Sequence, residues 1–259
     1  MIADRPSYLA PLIAELITAW PANRCINLVC HGHSVPAGYV RTPVVDTLGA
    51  YPHQVLSGLK ERFPNAVLNV IVTAIGGEHA EAGQARFSQV LGHRPDLVLI
   101  DYGTNDRGIG LSRARTAWEA MIRSATSAGA KVLLVTPAHE VYGDGDPAGA
   151  CEQARIAHAA LIRAATAAGA KVLLVTPAHE VYGDGDPGGT REQGRIAHAQ
   201  LIRTLASEHG VALADADAAF RTYRAQGGDL LDVLSQTNHP NRTGHGLIAR
   251  EILRWFNVV

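Results

Sequence analysis

The sequence is poor in cysteine, in aromatic residues and in net charge. Three cysteines, Cys25, Cys30 and Cys151, occur in 259 residues. None has a metal-ligand spacing, which argues against a disulfide framework or a zinc knuckle and predicts a reducing, cytoplasmic setting. Phe, Trp and Tyr together make up 5%, giving little support for a stacking-type sugar groove or an extended lipid surface. The formal net charge is −1, and no basic run could follow a phosphate backbone, so no nucleic-acid partner is expected. No run is long and apolar enough to cross a bilayer, so no membrane role is expected. The opening stretch, MIADRPSYLAPLIAELITAW, carries Asp and Glu and lacks a basic start followed by a continuous apolar core. Its Leu9, Leu12, Ile13, Leu16, Ile17 and Trp20 recur at helical spacing, which predicts an amphipathic helix and not a signal peptide.

What is present is apolar and regular. Hydrophobic residues make up 47% of the chain, enough for one sizeable core. Short, nearly continuous apolar runs at 26–30, 67–73, 97–101, 132–135, 172–175 and 211–214 suit parallel strands covered on both faces. Between them lie segments of helical period, such as 53–63, 80–91 and 112–128, and 242–256 closes the chain. This alternation predicts an α/β fold, a three-layer, doubly wound parallel sheet in a single domain over 1–259. Ligands of such sheets bind at the carboxyl ends of the strands.

The segment KVLLVTPAHEVYGDGDP stands at 131–147 and again, unchanged, at 171–187. Beyond it EQARIAHAALIR (152–163) is answered by EQGRIAHAQLIR (192–203). A strand–loop–helix unit has been copied in tandem, over about 131–170 and 171–210. Two copies do not make a solenoid. The plain reading is one further βα unit added to the sheet; extrusion of one copy, or exchange of copies between chains, are the alternatives. The sequence leaves the oligomeric state open. The HEVYGDGDP portion is first a turn signal and not a metal site.

The polar residues of interest follow strands. In CHGHSVPAGY, Ser34 comes just after an apolar run and a Gly that permits a sharp turn, so its hydroxyl can project over the sheet end. A serine needs a base to become a nucleophile. AIGGEHAEAG offers Gly76 and Gly77, whose N–H groups a substrate oxygen can approach. DYGTND offers the Asn105 amide, and NHPNRTGH offers His239 as a base. Nucleophile, oxyanion donors and base are the parts of an acyl-transfer site. Each residue alone has an ordinary structural use, as a cap, a turn or a loop residue; the argument lies in their joint occurrence at successive strand ends.

In that order and context the chain resembles an SGNH hydrolase of the GDSL esterase/lipase superfamily. The resemblance runs from Ile26 to the last helix, with the repeat as an insertion. It rests on Gly32-His33-Ser34, Ile75-Gly76-Gly77-Glu78, Gly103-Thr104-Asn105-Asp106 and His239-Pro240-Asn241. It implies a flavodoxin-like sheet of five parallel strands, here extended to six by the duplication. It further implies Ser34 as nucleophile, His239 as base, Gly77 and Asn105 as oxyanion donors, and no metal or cofactor. The substrate would be a small-molecule ester of a short acyl group, O-acetyl groups on carbohydrate included, cleaved through an acyl-enzyme. Two positions depart from the family. His33 stands where an Asp is usual, and Gln236 stands where an Asp three residues before the histidine usually orients the imidazole. Gln236, Asp232 or a backbone carbonyl could take that orienting role. The histidines His31, His33, His239 and His245 are read as not forming a metal site, with His33 in a structural place. A catalytically weak binding protein, and a thioesterase or acyltransferase, are the competing functions.

Overall fold

A computed structural model describes residues 1–106, 108–134, 147–178, 190–236 and 239–257. Residues 139–146 and 179–187 of the duplicated segment lie outside these residues. The chain opens with α1 (Arg5–Tyr8) and α2 (Ala10–Ile17), continues through β1 (Cys25–Gly32), α3 (Ser34–Ala37), α4 (Tyr51–Arg62), β2 (Val67–Val72), α5 (Ala80–Ala85), α6 (Phe87–Gly92) and β3 (Leu97–Asp101), and then α7 (Gly103–Asp106), α8 (Leu111–Ser127) and β4 (Lys131–Leu134). The second half holds α9 (Pro147–Ala167), β5 (Leu173–Val175), α10 (Thr190–His209), β6 (Ala212–Ala214), α11 (Ala216–Ala225), the short antiparallel pair β7 (Leu234–Gln236) and β8 (His239–Pro240), and α12 (Arg242–Leu253).

Six parallel strands form one sheet in the order β2-β1-β3-β4-β5-β6. This is the flavodoxin-like order with one strand added, so the expected three-layer α/β architecture holds. The strands bury alternate side chains on opposite faces, as the two-residue period of a strand requires. Leu97 and Leu99 of β3 join the core beneath α2, α4 and α12, whereas Val98 and Ile100 join the core beneath α8, α9 and α10. The two copies obey the same rule. Leu133 and its copy Leu173 face the first core, and Leu134 and Leu174 face the second. Their helices also pack alike, with Leu161 and Ile162 matched by Leu201 and Ile202. A copied strand plus crossover keeps its handedness and its facing, so it adds a strand and a helix to existing layers without inverting any side chain.

Two helical expectations change in detail. The N-terminal helix stops at Ile17, and Trp20 lies beyond it with 83% of its surface exposed. The single helix read over 80–91 is two, parted at Arg86, whose guanidinium turns inward to Glu78 and Tyr102.

Candidate active site

The sheet order reverses about β1: the chain leaves it for β2 on one side and returns to β3 on the other. The carboxyl ends of β1 and β3 therefore form the crevice where such sheets take ligands. Gly32 closes β1 directly opposite Asp101 of β3. A Cβ at Gly32 would run into the Asp101 carbonyl oxygen and the Pro36 ring, so only glycine allows the strands this close. The chain then turns at His33, whose ring accepts the Val35 N–H at 3.3 Å and caps α3. Ser34 is the first residue of that helix, where a backbone N–H has no acceptor within the helix.

His239 comes from the far end of the chain, and its position is set by the elements beside it. Asn241 caps α12 by accepting the N–H groups of Thr243 and Gly244, and its own amide donates to the Asp232 carbonyl at 2.8 Å. Ser235 Oγ donates to the His239 carbonyl at 3.1 Å. Helix α12 lies on α4, where Gln54 donates to the Arg242 carbonyl at 2.8 Å and Leu253 fills the space over Gly58. His239 Nε2 thus stands 2.9 Å from Ser34 Oγ.

Gly77 and Asn105 line the same cleft. Gly77 has φ +78°, a left-handed conformation that glycine adopts at no steric cost, and open space lies where a Cβ would stand. The Asn105 amide donates to the Glu78 carbonyl at 2.9 Å, which ties the β3 loop to the β2 loop and leaves its second N–H for another acceptor. Glu78 is itself fixed by Arg86 Nε at 2.7 Å and Tyr102 Oη at 2.8 Å. Burial pushes its carboxyl up, but these bonds outweigh burial and hold it below the usual carboxylate range. The next residue, Asp106, is buried and accepts the Ala80 N–H at 2.7 Å and the Trp118 indole N–H at 2.6 Å. Burial raises its pKa to about 6. Ser34, Gly77, Asn105 and His239 line one cleft of about 320 Å³, together with His33, Tyr39, Thr42 and Thr104.

Burial, and then the neighbouring His33, lower the pKa of His239. Its Nδ1 is buried and meets no hydrogen-bond partner among the described residues. Asp232 lies in an exposed turn; its carbonyl holds Asn241, and no described bond joins its carboxylate to His239. The Gln236 side chain lies outside the described residues. His31 and His33 part company: His31 packs edge-on against Phe87 and Tyr102, with a pKa lowered by burial to about 4, while His33 turns to Asp101. His245 is buried within α12 beside Tyr51. Among the described residues no group of three or more His, Cys, Asp or Glu could hold a metal ion. A larger cleft, about 540 Å³, opens between α10 and α11. It has no serine, cysteine or histidine, and its Arg195 and Arg203 are bound to Asp217. Sequence reasoning missed Asp101 and Tyr51, whose link to the site passes through His33; the Asp at the end of β3 was the available signal.

A doubly wound parallel sheet with a Ser–His pair at its switch point defines a serine-hydrolase-type enzyme. The GDSL-like Lipase/Acylhydrolase family matches residues 30–158 and 142–247, and the chain belongs to this family of carboxylic ester hydrolases. The two matches overlap within the first copy, as a duplicated unit requires. Comparison with curated proteins found no significant match. Solved structures with this fold include an alpha/beta hydrolase enzyme from the metagenome of Lake Arreo, Spain, at 19% identity and TM-score 0.53, covering 93% of this chain and 97% of that one. An acetylxylan esterase from Geobacillus stearothermophilus matches at 17% identity and TM-score 0.57, covering 94% and 97%. A two-domain esterase active on acetylated mannans matches at 18% and 0.57, covering 96% of this chain and 52% of its own. At these identities the likeness speaks to the fold alone.

Proposed function

We propose that the protein hydrolyses esters of short acyl groups, acetyl groups on carbohydrate foremost, through an acyl-enzyme on Ser34. The observation that carries this reading is the 2.9 Å approach of His239 Nε2 to Ser34 Oγ in a cleft also lined by Gly77 and Asn105. His239 takes the serine proton as Oγ attacks the ester carbonyl. The oxyanion is met by the Ser34 and Gly77 N–H groups and the Asn105 amide, each such donor being worth about 10²–10³ in rate. His239 returns the proton to the leaving alcohol, and water, activated in the same way, releases the acid. The cleft volume of about 320 Å³ sits at the low end for small-molecule sites, and its Thr42 and Thr104 favour a compact, polar substrate. The acetylated-polysaccharide esterases of the same fold support the substrate class. In the acetylxylan esterase, catalytic mutants were made at a Ser, an Asp and a His, with the Asp three residues before the His. Gln236 holds that spacing here.

The test is hydrolysis of nitrophenyl acetate against longer acyl esters, with Ser34→Ala as control and serine labelling by a fluorophosphonate. Turnover that favours acetyl and vanishes in Ser34→Ala supports the reading. Undiminished turnover in Ser34→Ala, or none in the wild type, overturns it. Because Gln236 carries no charge, a weakly active protein that binds such esters is the second reading; fluorophosphonate labelling without turnover would favour it.

A further inference from the structure

Ser34 faces two imidazoles, and the mechanism above uses one. Because Gly32 pairs with Asp101 and the His33 N–H donates to the Asp101 carbonyl at 3.0 Å, the His33 ring is laid along the Asp101 side chain. Its Nε2 is 3.2 Å from Asp101 Oδ1, while Tyr51 donates its hydroxyl to Oδ2 at 3.0 Å. Its other nitrogen, Nδ1, is 3.3 Å from Ser34 Oγ. His33 is 2% exposed, Asp101 5% and Tyr51 0%, and a carboxylate so buried needs both of its donors.

The proton positions follow from the contacts. The Val35 N–H points at His33 Nδ1, so that nitrogen presents a lone pair and the ring proton sits on Nε2, directed at Asp101. That one lone pair is shared between the Val35 N–H and the Ser34 hydroxyl, each at 3.3 Å. With a carboxylate on the other ring nitrogen, it is placed as a base is placed on its acid once the Val35 N–H is released. The 3.3 Å distance is longer than that of His239, but such bonds are often loose before substrate binds. An imidazolium formed on His33 would have Asp101 in contact. One formed on His239 would have no carboxylate beside it among the described residues.

We propose that His33, oriented by Asp101, is a second base on Ser34, and that this pair supplies the carboxylate that position 236 lacks. The inference rests on the esterase reading of the same cleft. The Oγ–H bond breaks as the proton passes to His239 Nε2, or to His33 Nδ1, which then gives up the hydrogen bond from the Val35 N–H. The Oγ–C bond forms as the carbonyl π pair moves to oxygen. When the C–O bond to the alcohol breaks, the imidazole that took the proton delivers it to the leaving oxygen.

The experiment compares kcat for nitrophenyl acetate in the wild type, Ser34→Ala, His239→Ala, Asp101→Asn/His239→Ala and His33→Asn/His239→Ala. Asn at 33 can still cap α3 but cannot take a proton. His239→Ala is expected to lose about 10²–10⁴-fold yet stay above Ser34→Ala, and both double variants to fall to the Ser34→Ala level. His239→Ala already at that level, or unchanged by His33→Asn, overturns the proposal and leaves the esterase reading standing. Loss of the esterase reading itself would show as absent wild-type turnover. Ring ¹⁵N spectra then decide independently. A His33 proton on Nε2 that shifts in Asp101→Asn supports the pair; a proton on Nδ1, or no response, overturns it.

Discussion

Ser34 and His239 are 205 residues apart in the chain, and their Oγ and Nε2 atoms are 2.9 Å apart in space. An added strand would be expected to disturb such a contact, since it moves β6 outward by about 4.8 Å. The contact survives because His239 is not positioned by the outer strands. It is set by Asn241 and by α12 lying on α4, beside β1 and Ser34.

Deleting residues 131–170 should therefore give a folded, five-stranded protein in which the remaining copy pairs with β3. Its far-UV circular dichroism melt should stay cooperative. Its kcat/KM should change by less than the about 10²-fold that a 1 Å misplacement of a catalytic group causes. A shortened chain that cannot fold would refute the added-unit description of the duplication.

Asn241→Ala should damage the site without touching Ser34. It removes the cap of α12, about 1 kcal/mol by itself, and the bond to the Asp232 carbonyl that fixes the turn before His239. Thermal melts should show a modest loss of stability, and kinetics should show kcat falling more than KM rises. An unchanged kcat would mean that His239 is held by other contacts.

Asn105→Ala should lower kcat by about 10²–10³ with little effect on KM, because its amide would act on the oxyanion and not on the ground-state ester. The bond from Asn105 to the Glu78 carbonyl is lost in the same variant. A melt is needed beside the kinetics to separate loosening of the loop from loss of the donor. A loss confined to KM would exclude the oxyanion role.

The acid limb of kcat/KM should lie below the ordinary histidine value of about 6.5. Burial and then His33 depress the pKa of His239. A base works when unprotonated, so a lowered pKa keeps His239 competent to lower pH, and activity falls only as pH drops through the lowered value. His33→Asn removes one of the two depressing influences and should move the limb upward in a pH–rate profile. A wild-type limb above 7 would contradict this assignment of the base.

Much of this was legible in the sequence because it is local. Ser34, Gly77, Asn105 and His239 each sit in a short motif at a strand end, and parallel strands buried on both faces announce themselves as continuous apolar runs. What was not legible depends on register. His33 read as a substitute for a structural Asp because nothing near it in the chain shows that Gly32 will pair with Asp101. The break at Arg86 was hidden for a related reason: the helical period runs through it, and only the tertiary pull of Glu78 and Tyr102 gives that side chain a cause to turn inward. Asp232 lay at a plausible sequence distance from His239, but its turn faces solvent.

The duplication shows that this sheet accepts a further strand on its β6 side. Ser34, Gly77 and Asn105 follow β1, β2 and β3, and the copied unit was spliced in beyond them, between β3 and β6. The new strand entered one place in from that edge and displaced only β6, much as a leaf is bound in before the last page of a book. The protein thus holds a flank that took in a whole strand and helix beside a cleft whose Ser34–His239 approach stays at 2.9 Å.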